Sequence, residues 1–144
     1  HIAPLGKVYQ AGTLSGNPIA MRAGYTLLSI LNNEADHFDS LDKKTAYLHE
    51  GLTKALASFS KPFVINRLGS MISIHFSAIP VTDFETASNA DNGFFNQFFH
   101  KMLEKGVYLP PSAFESWFLN DALSYADLDF TINAAKESMA ELLN

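Results

Sequence analysis

The segment Pro18–Asn33 constrains the fold most. Read as a helix, it puts Ala20, Ala23, Gly24, Leu27 and Leu31 on one face. Ile19, Met21, Tyr25, Leu28 and Ile30 make the other faces apolar as well. A helix that is apolar nearly all round belongs in the interior of a larger body, and a free apolar face invites self-association. Pro18 suits a first helical turn, where its missing N–H costs no hydrogen bond, and Asn17 before it is the expected N-cap. The residues before Asn17, with Gly6, Gly12 and Gly16, read as loop.

Downstream the pattern becomes that of an ordinary small domain. Asp39 or Ser40 can cap a second helix to about Phe59 with the stripe Leu41, Thr45, Leu48, Leu52, Ala55, Leu56 and Phe59, which leaves Lys43, Lys44, Glu50 and Lys54 toward water. Ser60-Lys61-Pro62 stops it. Phe63–Ile65 and Met71–Phe76 read as strands, the second with Ile72, Ile74 and Phe76 on one face and Ser73 and His75 on the other. Residues 77–92 read mainly as loop. Asp91 caps a third helix to Lys105 with the stripe Phe94, Phe95, Phe98, Met102 and Leu103, and Gly106 is placed as its C′ residue. Val107–Leu109 is an expected short strand, followed by a loop carrying Phe114, Glu115, Trp117 and Phe118. Ser124 opens the last helix, with Asp127 as its capping-box partner and Leu128, Ile132, Ala135, Met139 and Leu142 as its stripe.

The order loop–α–α–β–β–α–β–α lacks the βαβ alternation of a doubly wound parallel sheet. It predicts an α+β fold, a small antiparallel or mixed sheet covered by helices, with residues 1–33 attached to a domain spanning 34–144.

Composition removes several function classes. The 144 residues are 47% hydrophobic, which argues against disorder. Net charge is −5 and only Arg22 and Arg67 are arginines, so no basic patch points to nucleic acid. There is no cysteine, hence no disulfide, thiolate metal site or cysteine nucleophile. No apolar run reaches the roughly 18 residues of a membrane span, and the first residues, broken by Pro4, Gly6 and Lys7, do not read as a signal peptide. A soluble, cytoplasmic, mildly acidic domain is expected. His1, His37, His49, His75 and His100 form no HxH, HxxxH or HExxH pair, so no metal site is expected; His75 reads as a packed or edge histidine.

Two stretches could carry chemistry. Val8-Tyr9-Gln10-Ala11-Gly12-Thr13-Leu14-Ser15-Gly16-Asn17-Pro18 packs glycines, hydroxyls and a helix start into a few positions. Backbone N–H groups, the Thr13 hydroxyl and the helix N-terminus could cradle an anion there. The same residues also make an ordinary capped turn, and the Gly-Lys-Ser/Thr element of a P-loop is missing. Glu115, between Phe114 and Trp117-Phe118, could be an acid, a base or an amine binder, or a solvated surface carboxylate.

The first of these stretches, continued by Ala20-Met21 and Ala23-Gly24, resembles the glutamate-1-semialdehyde 2,1-aminomutase family, a branch of the class III aminotransferases, which are pyridoxal-phosphate enzymes of fold type I. Gly69-Ser70-Met71, Gly106-Val107-Tyr108-Leu109-Pro110-Pro111-Ser112 with Phe114-Glu115, and Asp127-Leu128-Asp129 resemble further stretches of that family in the same order. The resemblance implies that residues 1–33 end the large domain and form its connecting helix, and that 34–144 are the small C-terminal domain. It implies that Gly12 and Thr13 bind the phosphate of pyridoxal or pyridoxamine phosphate in the neighbouring subunit of a homodimer. Glu115 is implied to lie near the substrate amine. The implied reaction turns glutamate-1-semialdehyde, a small-molecule substrate, into 5-aminolevulinate for tetrapyrrole synthesis.

The family's Schiff-base lysine lies upstream of these motifs. Lys7, Lys43, Lys44, Lys54, Lys61, Lys101, Lys105 and Lys136 match none of its context. His1 is therefore expected to be interior to a longer protein, and these residues alone to be inactive. The histidine usual before the last helix is replaced near Leu123. Another class III ω-aminotransferase is the same-class alternative, although a simple transaminase has no need of the Pro-Ser-x-Phe-Glu loop around Glu115. A stand-alone, non-catalytic α+β interaction domain is the other.

Overall fold

The computed structural model describes residues 1–143. It divides into two compact units, His1–His37 and the residues from Phe38 onward, and each is described by itself.

In the first unit a loop is closed by one parallel bridge between Ile2 and Val8 and runs into helix α1, Pro18–Asn33. The Asn17 side chain caps α1, its Oδ1 accepting from the N–H groups of Ile19 at 3.0 Å and Ala20 at 3.1 Å. The bounds and the cap are those expected from sequence. No residue of α1 is buried, and Ile19 and Leu28 are 81% and 67% exposed. The apolar surround of this helix is uncovered in this chain.

The second unit contains α2 (His37–Leu56) apart from its first residue, β1 (Val64–Leu68), β2 (Met71–His75), α3 (Phe84–Ser88), α4 (Asn92–Glu104), β3 (Trp117–Phe118) and α5 (Tyr125–Leu143). The sheet is antiparallel in the order β1-β2-β3, with Leu68 opposite Met71 and Ile72 opposite Trp117. This is the expected α+β class. Its core joins Leu48, Leu52 and Leu56 of α2, Ile72 and Ile74 of β2, Phe95, Phe98 and Met102 of α4, and Leu128, Ala135 and Met139 of α5. The i, i+3, i+4 stripes of these helices are what bring them onto one sheet.

Several expectations are corrected. α2 starts earlier and ends at Leu56, before Phe59. Lys44 does not face water freely; its Nζ donates to the Asp121 carbonyl at 2.7 Å and lies 3.2 Å from the Asp121 carboxylate. Residues 77–92, expected as loop, contain α3, whose cap is reciprocal: Thr86 N–H donates to Asp83 Oδ1 at 2.8 Å and Asp83 N–H to Thr86 Oγ1 at 3.1 Å. On α4, Phe99 is buried and Leu103 is 44% exposed, the reverse of the predicted stripe at those positions. Val107–Leu109 forms no strand; the third strand is Trp117–Phe118, in what was expected to be loop. Gly106 does end α4 with φ +85°, a left-handed value that a side chain makes costly. Ser124 and Asp127 do form the capping box, with Ser124 N–H donating to Asp127 Oδ2 at 2.8 Å.

Asp91 caps α4 by accepting from Phe94 N–H at 2.9 Å and pairs with Lys61. The Lys61 hydrogen bond, then the Phe94 N–H, hold its carboxyl below the usual carboxylate range. A depressed folded pKa gives stability that is present above the unfolded pKa and is lost as pH falls through the folded one. Asp83 and Asp127 have the same sign, from Thr86 and Ser124 respectively. The urea midpoint should therefore fall once pH drops below about 4. Asp91→Asn keeps a good cap and removes one titrating charge. Its midpoint should fall less over that range, as pH-resolved urea unfolding would show.

Candidate functional site

The Gly12 stretch is an exposed double turn, closed by Ser15 N–H donating to the Gly12 carbonyl at 2.9 Å and Asn17 N–H to the Leu14 carbonyl at 3.1 Å. Among the described residues, the N–H groups of Gly12 and Thr13 and the Thr13 hydroxyl have no partner. A side chain at Gly12 would put its Cβ 2.8 Å from Ser15 Oγ, a contact that rotation of the Ser15 side chain would relieve. The first-turn donors of α1, in contrast, are consumed: Asn17 takes the N–H of Ile19 and of Ala20, and Pro18 has none. Any anion here is held by the turn and by Thr13, and the helix adds its positive end as potential only. Free N–H and hydroxyl donors on an exposed glycine turn suit an anion such as a phosphate group.

Glu115 lies on an exposed turn of the second unit. Ser112 folds that turn, its carbonyl accepting Glu115 N–H at 3.1 Å and its Oγ accepting Phe114 N–H at 3.2 Å. Ser116 is bonded to Ser73 of β2, Oγ to Oγ, at 3.1 Å. The neighbouring aromatics leave Glu115 in the open: Phe114 lies against Phe84, with ring centroids 5.7 Å apart, and Trp117 is buried on β3. Gly12 and Thr13 share one turn, whereas Glu115 belongs to the other compact unit. Sequence reasoning missed Phe84, Ser73 and Ser116. The findable signal was Asp83 with Thr86 three residues on, a cap pattern with Thr where Glu or Gln is usual.

His75 is packed and not at an edge, since β2 is the central strand. It is 7% exposed and its Nδ1 has no hydrogen-bond partner among the described residues. Burial pushes its imidazole below the ordinary 6.5. The neutral form is thus favoured by folding, and stability is lost as pH falls below the unfolded pKa. Lowering pH from about 7 to about 5 should reduce the urea midpoint, and His75→Phe should remove much of that drop. An equal drop in the variant would show that His75 is not its source.

Among the described residues no three His, Asp or Glu side chains cluster as a metal would require, and no helix is long and apolar enough to cross a membrane.

The family model of aminotransferase class-III matches residues 1–131. Glutamate-1-semialdehyde 2,1-aminomutase of Flavobacterium johnsoniae is 59% identical over 134 residues, 93% of this chain and 31% of that protein. The protein of that name from Alkaliphilus metalliredigens is 44% identical over 144 residues, all of this chain and 33% of that protein. This chain thus spans about a third of the length of these curated relatives. Among solved structures, a glutamate-1-semialdehyde-aminomutase from Pseudomonas aeruginosa in complex with PMP matches at TM-score 0.76 and 23% identity, covering 99% of this chain and 32% of that one. An omega-transaminase from Sphaerobacter thermophilus matches at TM-score 0.72 and 19% identity, covering 96% and 32%. At that identity the structures speak for the fold alone, which is the one found in these transaminases. With the family model matched along most of its length, the chain belongs to the class-III aminotransferase family.

Proposed function

We propose that this chain is the C-terminal third of a glutamate-1-semialdehyde 2,1-aminomutase. The observation that carries this is the 59% identity to a protein of that name across 93% of the chain. That identity favours the aminomutase over an ω-aminotransferase, because relatives at 42% to 59% identity carry the aminomutase name, whereas the solved structures of either kind are alike in fold alone. The family match disfavours a stand-alone interaction domain.

In this reading residues 1–33 end the large domain and form the connecting helix, and 34–144 are the small domain. The protein is a cytoplasmic homodimer that takes glutamate-1-semialdehyde and moves its amino group to the adjacent carbon. Bound pyridoxal or pyridoxamine phosphate supplies the electron sink for that transfer. Gly12 and Thr13 bind the cofactor phosphate of the neighbouring subunit through the free N–H groups and hydroxyl of the turn. Glu115 faces the substrate amine, holding it as a cation or taking its proton. The lysine that anchors the cofactor belongs to the remainder of the protein, so residues 1–144 alone do not turn over.

The test uses the full-length protein. It should convert glutamate-1-semialdehyde to 5-aminolevulinate. Thr13→Ala should weaken cofactor affinity by about ten- to a hundred-fold, the worth of one hydrogen bond to a charged group. The melting temperature of the cofactor-free protein should not move, because the Thr13 side chain is exposed. Unchanged cofactor affinity would count against the phosphate role.

A further inference from the structure

We propose that Phe84 on α3, together with the Ser73–Ser116 hydroxyl pair, positions Glu115; this rests on the reading that Glu115 works at the substrate amine. Helix α3 is unusual in what it contributes. None of its residues is buried, and Phe84 is 78% exposed. A five-residue helix with no buried residue is not held by the core. Polar ties hold it instead. The Asp83–Thr86 box closes its start. Asn92 Nδ2, on the first turn of α4, donates to the carbonyls of Ala87 and Ser88 at 3.3 Å each. Just upstream, Asn66 Nδ2 of β1 donates to the Val81 carbonyl at 2.8 Å.

What this fixed element presents is the ring of Phe84, tilted by 31° against Phe114 with centroids 5.7 Å apart. That separation lies within the roughly 4.5–7 Å over which aromatic rings attract one another. Phe114 immediately precedes Glu115, and Ser116, bonded to Ser73 of the central strand, immediately follows it. Glu115 is thus flanked on both sides by anchored residues.

The anchors matter because the turn is packed only in part: Ala113 is buried in the core, whereas Phe114 and Glu115 after it are exposed. A cavity of about 330 Å³ lies beside it, lined by Ser73, His75, Phe84, Phe114 and Ser116 among others. Close packing restrains most side chains, and over a cavity that restraint is missing. The ring contact and the hydroxyl pair take its place. A carboxylate that must meet a reacting amine needs its position held to roughly half an ångström, and a misplacement of about 1 Å can cost on the order of a hundred-fold in rate.

The experiment measures steady-state formation of 5-aminolevulinate by the full-length protein carrying Phe84→Ala, Phe84→Tyr, Ser116→Ala or Glu115→Gln, and by the double variants that add Phe84→Ala or Ser116→Ala to Glu115→Gln. Phe84→Ala should lower kcat about ten-fold, since the carboxylate is loosened and not removed. Phe84→Tyr, which keeps the ring, should restore it. In the Glu115→Gln background neither Phe84→Ala nor Ser116→Ala should cost anything further, because a positioning residue has no effect once the group it positions is gone. Losses of equal size in both backgrounds would overturn the proposal, as would parental kcat in both single variants. If Glu115→Gln itself left kcat unchanged, the role of Glu115 would fail first and the proposal with it. Should Phe84→Ala lower the melting temperature, Ser116→Ala and its double variant decide the question, since they leave α3 intact.

Discussion

Phe98→Ala should destabilise the unit from Phe38 onward by about 3–5 kcal/mol. Phe98 is 0% exposed at the middle of α4 and sits edge-on to Phe76, with centroids 5.4 Å apart. Truncation removes the transfer energy of a whole ring and leaves a hole in the core cluster that also holds Leu52, Met102 and Met139, all fully buried. It also removes an aromatic pair worth about 0.5–1.5 kcal/mol beyond its area. Set against the about 5–15 kcal/mol that holds an ordinary domain folded, this is a large share. Urea unfolding followed by circular dichroism checks it, with the slope unchanged and the midpoint lowered. Leu103→Ala is the control on the same helix. Leu103 is 44% exposed, so its truncation should cost less than about 1 kcal/mol. Equal losses for the two variants would mean that α4 packs by a different face.

That contrast marks where the sequence was legible. Caps are local chemistry, and Asn17, Asp91, Gly106 and the Ser124–Asp127 pair all act as their positions along the chain imply. The buried residues of α2 follow from 3.6-residue periodicity alone; on α5 the periodicity places Leu128, Ala135 and Met139 in the core but misses Ala134 and Ser138, which are buried too. Leu103 and Phe99 were exchanged because both fall near the edge of the stripe, and only the packing partners decide which turns inward. β3 could not be read because a two-residue strand exists only through its pairing with Met71 and Ile72. Val107–Leu109 has a strand's apolar run, yet it contributes Leu109 to the core without a strand partner. Lys44 finds Asp121 across 77 residues, a distance over which no local pattern reports. Of the candidate site residues, Gly12 and Thr13 in one unit and Glu115 in the other were visible as types. Their support was not: Phe84 and Ser73 meet the Glu115 turn through the tertiary fold.

In the full-length protein Glu115→Gln should lower kcat by about a hundred-fold, the lower end of what a positioned acid or base contributes. The substitution is nearly isosteric and the side chain is exposed, so folding gives no competing reason for a loss. The Ser112 turn holds Glu115 through its backbone N–H, which glutamine retains. What the variant lacks is the charge and the exchangeable proton site. A substrate amine is a cation at neutral pH, and moving an amino group between adjacent carbons requires that it lose and regain protons. A carboxylate at that point can do both jobs, and a carboxamide can only accept or donate a neutral hydrogen bond. Glu115→Asp should also be impaired, because it keeps the charge but draws it back by one methylene from a position that the flanking anchors fix. The two variants separate the roles. If charge alone matters, the aspartate retains most of the activity and the KM for glutamate-1-semialdehyde moves more than kcat. If proton transfer matters, kcat falls in both and KM changes little. Activity within two-fold of the parent in Glu115→Gln would remove Glu115 from the reaction, and would return it to what its exposure alone suggests, a solvated carboxylate on a surface turn.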